Sequence, residues 1–150
     1  MTKLFIIQII TVIFSVLVLA HDGGHGPKLT DTAKLGGIVA PLMDAKNMKN
    51  GAKMEVAYKA ELVRSEDGTA RIYLYDKAMN PLDLTKFDKT ANGVVEFKKN
   101  KKWKKLPFTL SQEEGCFAGK APKANAKPFN IDIIIKEGTR ELFVAFDNLD

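Results

Sequence analysis

Apolar and polar residues alternate through most of this chain. Met54, Val56, Tyr58, Ala60 and Leu62 alternate with Lys53, Glu55, Lys59 and Glu61. Period two places the two sets on opposite faces of a strand, here an antiparallel strand with one wet face. Glu66-Asp67-Gly68 follows, and Asp-Gly between two alternating runs marks a hairpin turn. Ala70 to Tyr75 is the return strand, Asp76 to Pro81 holds another turn, and Leu82 to Asn92 is a longer connection. A second hairpin runs out over Val94 to Lys98, turns at Asn100 and returns over Trp103 to Leu110. Glu114-Gly115 then turns the chain into a short strand, Cys116 to Lys120. A Pro-, Ala- and Lys-rich connection, Ala121 to Pro128, leads to the last hairpin: Phe129 to Lys136, a Glu137-Gly138 turn, and Arg140 to Phe146. Upstream, the apolar stretch Ile38 to Met43 lies behind Gly36-Gly37. It is expected to be a short edge strand ended by Pro41, then a loop through Asn47, Asn50 and Gly51. Seven to eight short strands with frequent turns predict an all-β fold, an antiparallel β-sandwich or small barrel.

The first twenty residues follow a different pattern. Leu4 to Leu19 carries no charge, Lys3 precedes it, and Val18-Leu19-Ala20 ends it with small residues at the −3 and −1 places. This is the charged start, apolar stretch and cleavage site of a secretory signal. The run is slightly short of the about 20 apolar residues that span a bilayer, which favours cleavage over anchoring. The expected organisation is a signal helix over 1–20, a Gly/His-rich segment with a short edge strand over 21–52, and a β-sandwich domain over 53–150. The product is expected in the periplasm or outside the cell, with no stable membrane span after cleavage.

Charge and cysteine content narrow the function classes. The 150 residues carry a formal charge of +5, a mild excess that leaves no nucleic-acid footprint. Cys116 is the only cysteine, so no intramolecular disulfide is available and the core must stabilise the fold. Its neighbours Phe117 and Ala118 predict a buried thiol. No serine has a histidine in a recognisable catalytic frame, Cys116 has no plausible base, and the sequence lacks a phosphate loop and a His-Glu-x-x-His zinc motif. The chain reads as a binding protein and not an enzyme.

Two segments carry candidate chemistry. The only histidines are His21 and His25. Cleavage after Ala20 would give His21 a free α-amine beside its ring, and His25 a place as third nitrogen. Gly23, Gly24 and Gly26 allow the chain to fold back, and Asp22 could add an oxygen or orient a ring. Three nitrogens suit Cu(II) best, then Ni(II) or Zn(II), so Cu or Zn is the expected metal. A polar tail with incidental histidines is the other reading. A copper-oxygenase brace would need the second histidine fixed by the fold, and His25 lies four residues away in a glycine-rich segment. Met43, Met48 and Met79, in or near predicted loops, are soft donors that more simply fill gaps. The second segment is Phe97 to Leu106, FKKNKKWKKL, in which six lysines flank Trp103. Lys101, Lys102, Trp103, Lys104 and Lys105 could contact an anionic polymer, lipid headgroup or envelope protein. The plainer reading is a solvated turn whose lysines guard an edge.

Taken in order, several blocks resemble a known family. They are His21-Asp22-Gly23-Gly24-His25-Gly26-Pro27, Gly36-Gly37-Ile38-Val39, Met54 to Leu62, Arg71-Ile72-Tyr73-Leu74-Tyr75-Asp76 and Asn80-Pro81-Leu82. Together they resemble the small periplasmic β-domain found alone or joined to adaptor subunits of heavy-metal efflux pumps. The resemblance implies a β-sandwich, periplasmic placement, an efflux or envelope partner and a link to copper or zinc handling. Within it, metal-binding roles carry over only to His21 and His25, although the Gly23-Gly24 pair precedes His25 where the family's block places it after a histidine.

Overall fold

The computed structural model describes residues 27, 29–49 and 55–150. Eight strands form one closed antiparallel barrel: β1 (Ile38–Asp44), β2 (Val56–Arg64), β3 (Thr69–Tyr75), β4 (Thr90–Lys99), β5 (Lys102–Glu113), β6 (Cys116–Lys120), β7 (Phe129–Glu137) and β8 (Arg140–Leu149). Their order around the barrel is β1-β2-β3-β6-β5-β4-β7-β8, closing back on β1. β4, β5 and β6 are joined by hairpins, and β7 returns to lie beside β4, which is a Greek key. Of the two expected all-β architectures, the barrel is the one formed. The expected signal helix lies outside the described residues.

Alternation decides what fills the barrel. Phe129, Ile131, Ile133 and Ile135 all point inward, where they meet Leu42, Ile72, Val95, Leu110, Phe117, Val144 and Phe146. Eight strands enclose a space about wide enough for side chains to fill. Burying each large side chain stabilises the fold by about 1.5–3 kcal/mol.

β1 departs from expectation. It continues through Pro41 to Asp44 and is a member of the barrel, with a short helix α1 (Ala45–Lys49) after it in place of a loop. Proline lacks an N–H, which usually bars it from a sheet interior. Here β1 pairs with β2 from Ile38 to Met43 but with β8 only at Met43 and Asp44. Among the described residues, the side of β1 facing β8 therefore has little ladder for Pro41 to interrupt. Met43 accordingly sits in a strand and is fully buried, not in a loop.

The outer face of β2 was expected to be wet, yet Lys59 and Glu61 are both buried there. They hold residues 31–37 against the outside of the barrel. Glu61 accepts the backbone N–H groups of Lys34 (3.0 Å), Leu35 (2.8 Å) and Gly37 (2.9 Å) and the Tyr75 hydroxyl (3.1 Å). Lys59 Nζ donates to Asp31 (2.6 Å) and to the Lys77 carbonyl (2.7 Å). Gly37 is required for this approach, because a Cβ there would run into the Leu62 carbonyl. Burial by itself would raise the Glu61 pKa; the Gly37, Leu35 and Lys34 amides and the Tyr75 hydroxyl more than reverse this and hold it below the usual glutamate value. Burial, followed by the Glu61 carboxylate, pushes Tyr75 up to about 12.

The registers also place the two ends of the barrel. The β4–β5 turn lies at the same end as the β2–β3 turn and the 121–128 connection, since Phe97 pairs with Phe129 and Thr69 with Lys120. The β5–β6 and β7–β8 turns lie at the opposite end.

Because Glu61 has a lowered pKa in the fold, its contribution is complete above the unfolded value near 4.5 and is lost as pH falls through the folded value. Glu61→Gln is expected to cost about 1–3 kcal/mol at neutral pH. Its stability curve should be flatter than wild type below about pH 4.5, as measured by urea denaturation across pH. Parallel curves for the two proteins would remove Glu61 from this role.

Candidate functional site

The β4–β5 hairpin extends beyond its neighbours. β7 accompanies β4 as far as Phe97, and β6 pairs with β5 only at Ser111–Glu113. Past Phe97 the ribbon consists of Lys98 opposite Trp103, Lys99 opposite Lys102, and a turn at Asn100-Lys101. Both turn residues have positive φ, 52° and 62°. That is the type I′ geometry that matches strand twist, but its second position favours glycine. Lys101 occupies it here, so a charge sits where a glycine would be conformationally easier.

The two faces of the ribbon are distinct. Phe97 belongs to the barrel core and lies opposite Lys104, so Lys104, Lys102 and Lys99 continue the inward-pointing face past the barrel rim. With Asn100 they line a surface hollow of about 410 Å³. Lys98, Trp103 and Lys105 share the outer face with Glu96. Lys105 forms an ion pair with the buried Glu96. Trp103 is 44% exposed. Lys98, Lys99, Lys101, Lys102 and Lys104 make no ion pair among the described residues.

The cross-strand pair Lys99–Lys102 carries the electrostatic argument. Residues directly opposite in an antiparallel pair have Cβ atoms about 4.5–5.5 Å apart, and like charges there destabilise the sheet. Lys104 adds a third ammonium on the same face. Guarding a strand edge would account for lysines on β5, together with Pro107. Past Phe97 β4 has no β7 partner either, so the same reading covers Lys98 and Lys99. It does not call for a lysine at the left-handed turn position or for two lysines paired directly across the strands. The arrangement is a concave cationic surface, suited to phosphate, sulfate or carboxylate groups.

Elsewhere, polar clusters are internally satisfied. At the opposite end, the Tyr58 hydroxyl donates to Glu137 (2.9 Å), Lys86 Nζ donates to Tyr58 (2.9 Å), and Arg140 pairs with Asp44 (2.9 Å). The Tyr58 hydrogen bond is the main influence raising the Lys86 pKa, which keeps that amine protonated. Nearby, Lys46, Lys136 and Glu141 border a smaller hollow of about 190 Å³. Cys116 is buried as expected, and that burial pushes its thiol pKa up, away from the reactive thiolate.

His21, Asp22 and His25 lie outside the described residues, as does Met54. Among the described residues, no group of three His, Cys, Asp or Glu side chains is placed to hold a metal. Met79 is buried in the 76–80 turn. Sequence reasoning located the lysine hairpin but missed the Glu61 anchor. Alternation alone makes Glu61 one more polar residue on a wet face, and the available signal to the contrary is the Gly36-Gly37 pair upstream. Comparison with protein-family models, with curated proteins and with solved structures finds no match to this chain.

The lysines around Trp103, with Lys98 opposite it and Lys102 and Lys104 beside it along β5, should concentrate anions around the indole. Iodide is expected to quench its fluorescence more strongly than caesium, with the difference narrowing as salt screens the lysines. Since Trp103 is the sole tryptophan, intrinsic emission reports on this ribbon alone. Equal quenching by the two ions at low salt would show that the lysines create no local potential.

Proposed function

We propose that this barrel is a non-enzymatic interaction module of the cell envelope that engages an anionic partner through the β4–β5 ribbon. The observation that carries this reading is the Lys99–Lys102 pair, with Lys104 beside it and, among the described residues, no carboxylate in an ion pair with any of the three. Their mutual repulsion is a local cost to the fold, and an anion entering the hollow would relieve it. The filled interior supports the same reading, because it leaves the outer surface as the place to bind.

Metal handling through His21, Asp22 and His25 is a separate proposal drawn from the sequence. It depends on cleavage after Ala20 and would operate independently of the ribbon.

The ribbon reading is tested by retention on a phosphate-bearing resin. Wild-type protein should require more salt for elution than Lys99→Gln/Lys102→Gln/Lys104→Gln. A control that removes the same charge from the opposite end, Lys46→Gln/Lys77→Gln/Lys136→Gln, should elute close to wild type. If the two triple variants weaken retention equally, net charge and not the ribbon governs binding.

A further inference from the structure

Charge on the ribbon is not limited to one face. Lys99, Lys102 and Lys104 lie on the inner face, Lys98 on the outer face, and Lys101 at the tip. A linear polyanion lying in the hollow would leave Lys98 and Lys101 facing water. An anionic layer entered tip-first would meet all five. The overhang past Phe97 is two residue pairs and a turn. At about 3.3 Å per residue it stands roughly 7–10 Å above the last β7 pairing. The polar region of one bilayer leaflet is about 5–8 Å deep, so the dimensions agree. Trp103 stands at the base of the overhang, half-exposed, on the outer face. An indole pairs an apolar body with one polar N–H, which suits the headgroup level of a membrane.

We propose that the β4–β5 ribbon docks tip-first on the headgroup layer of an anionic phospholipid bilayer. Lys98, Lys99, Lys101, Lys102 and Lys104 sit among the phosphates, and Trp103 rests at the interface. This deepens the anion-binding reading and rests on it. The tip carries no apolar residue, so the attachment is peripheral, electrostatic and reversible by salt. Each lysine near an anionic surface is worth about 1 kcal/mol, so each Lys→Gln substitution should weaken partitioning about fivefold.

The test titrates the purified chain with vesicles of phosphatidylcholine alone and of an equal mixture with phosphatidylglycerol. Trp103 emission should shift to the blue, and lose iodide quenching, only with phosphatidylglycerol present. The Lys99→Gln/Lys102→Gln/Lys104→Gln variant should require roughly a hundredfold more lipid for the same shift, from three such factors. Matching thermal unfolding of the variant and wild type would show that the fold is intact. A shift that is equal on neutral vesicles overturns the proposal. So does the absence of any shift on anionic vesicles while the phosphate resin still retains the protein, and that result leaves the broader anion reading standing. Failure on both vesicles and resin removes both.

Discussion

A closed barrel packed with its own side chains is the constraint that governs this molecule. Eight strands leave an interior that Leu42, Ile72, Val95, Leu110, Phe117, Ile133 and Val144 occupy from several sides. With one cysteine and no possible internal disulfide, this packing bears the main burden of stability. Larger barrels can hold ligands inside; this one is filled by its own side chains, which supports the proposal that binding takes place on the outer surface.

The outer surface uses charged residues in two contrasting ways. Lys59 and Glu61 are surrounded by partners: Asp31, the Lys77 carbonyl, three backbone amides and the Tyr75 hydroxyl. These charges fasten residues 31–37 to β2 and β3. Tyr58, Lys86, Glu137 and Arg140 similarly connect β2, the Leu84–Lys86 turn and the β7–β8 hairpin. The ribbon lysines are different. Like charges face each other across the strands, and a lysine takes the left-handed turn position that glycine would fill more easily. Local costs of this kind support the proposal that the ribbon is a binding surface.

Much of the fold was legible because period-two alternation is a direct imprint of a one-sided strand. β6 matches its sequence reading at both ends, and β3, β7 and β8 match within a few residues. The burial of Cys116 followed from its apolar neighbours. Long-range relations were not legible. Nothing local says that β1 pairs with β8 across about a hundred residues, so local pattern makes Pro41 the end of an edge strand. Nothing local says that a loop 24 residues upstream donates to Glu61, so local pattern places that residue in solvent. The lysine cluster was visible as composition. Its division into an inner cationic face and an outer face with Trp103 required the Phe97–Lys104 register.

The central claim is that binding takes place on the ribbon of a barrel that stays closed. Amide chemical-shift mapping during titration with an anionic ligand such as inorganic polyphosphate tests this most directly. The account predicts perturbations concentrated over residues 98–105, with the inward-facing residues of β7 and β8 unmoved. Perturbations centred on the 137–140 turn, or spread through the barrel interior, would contradict it.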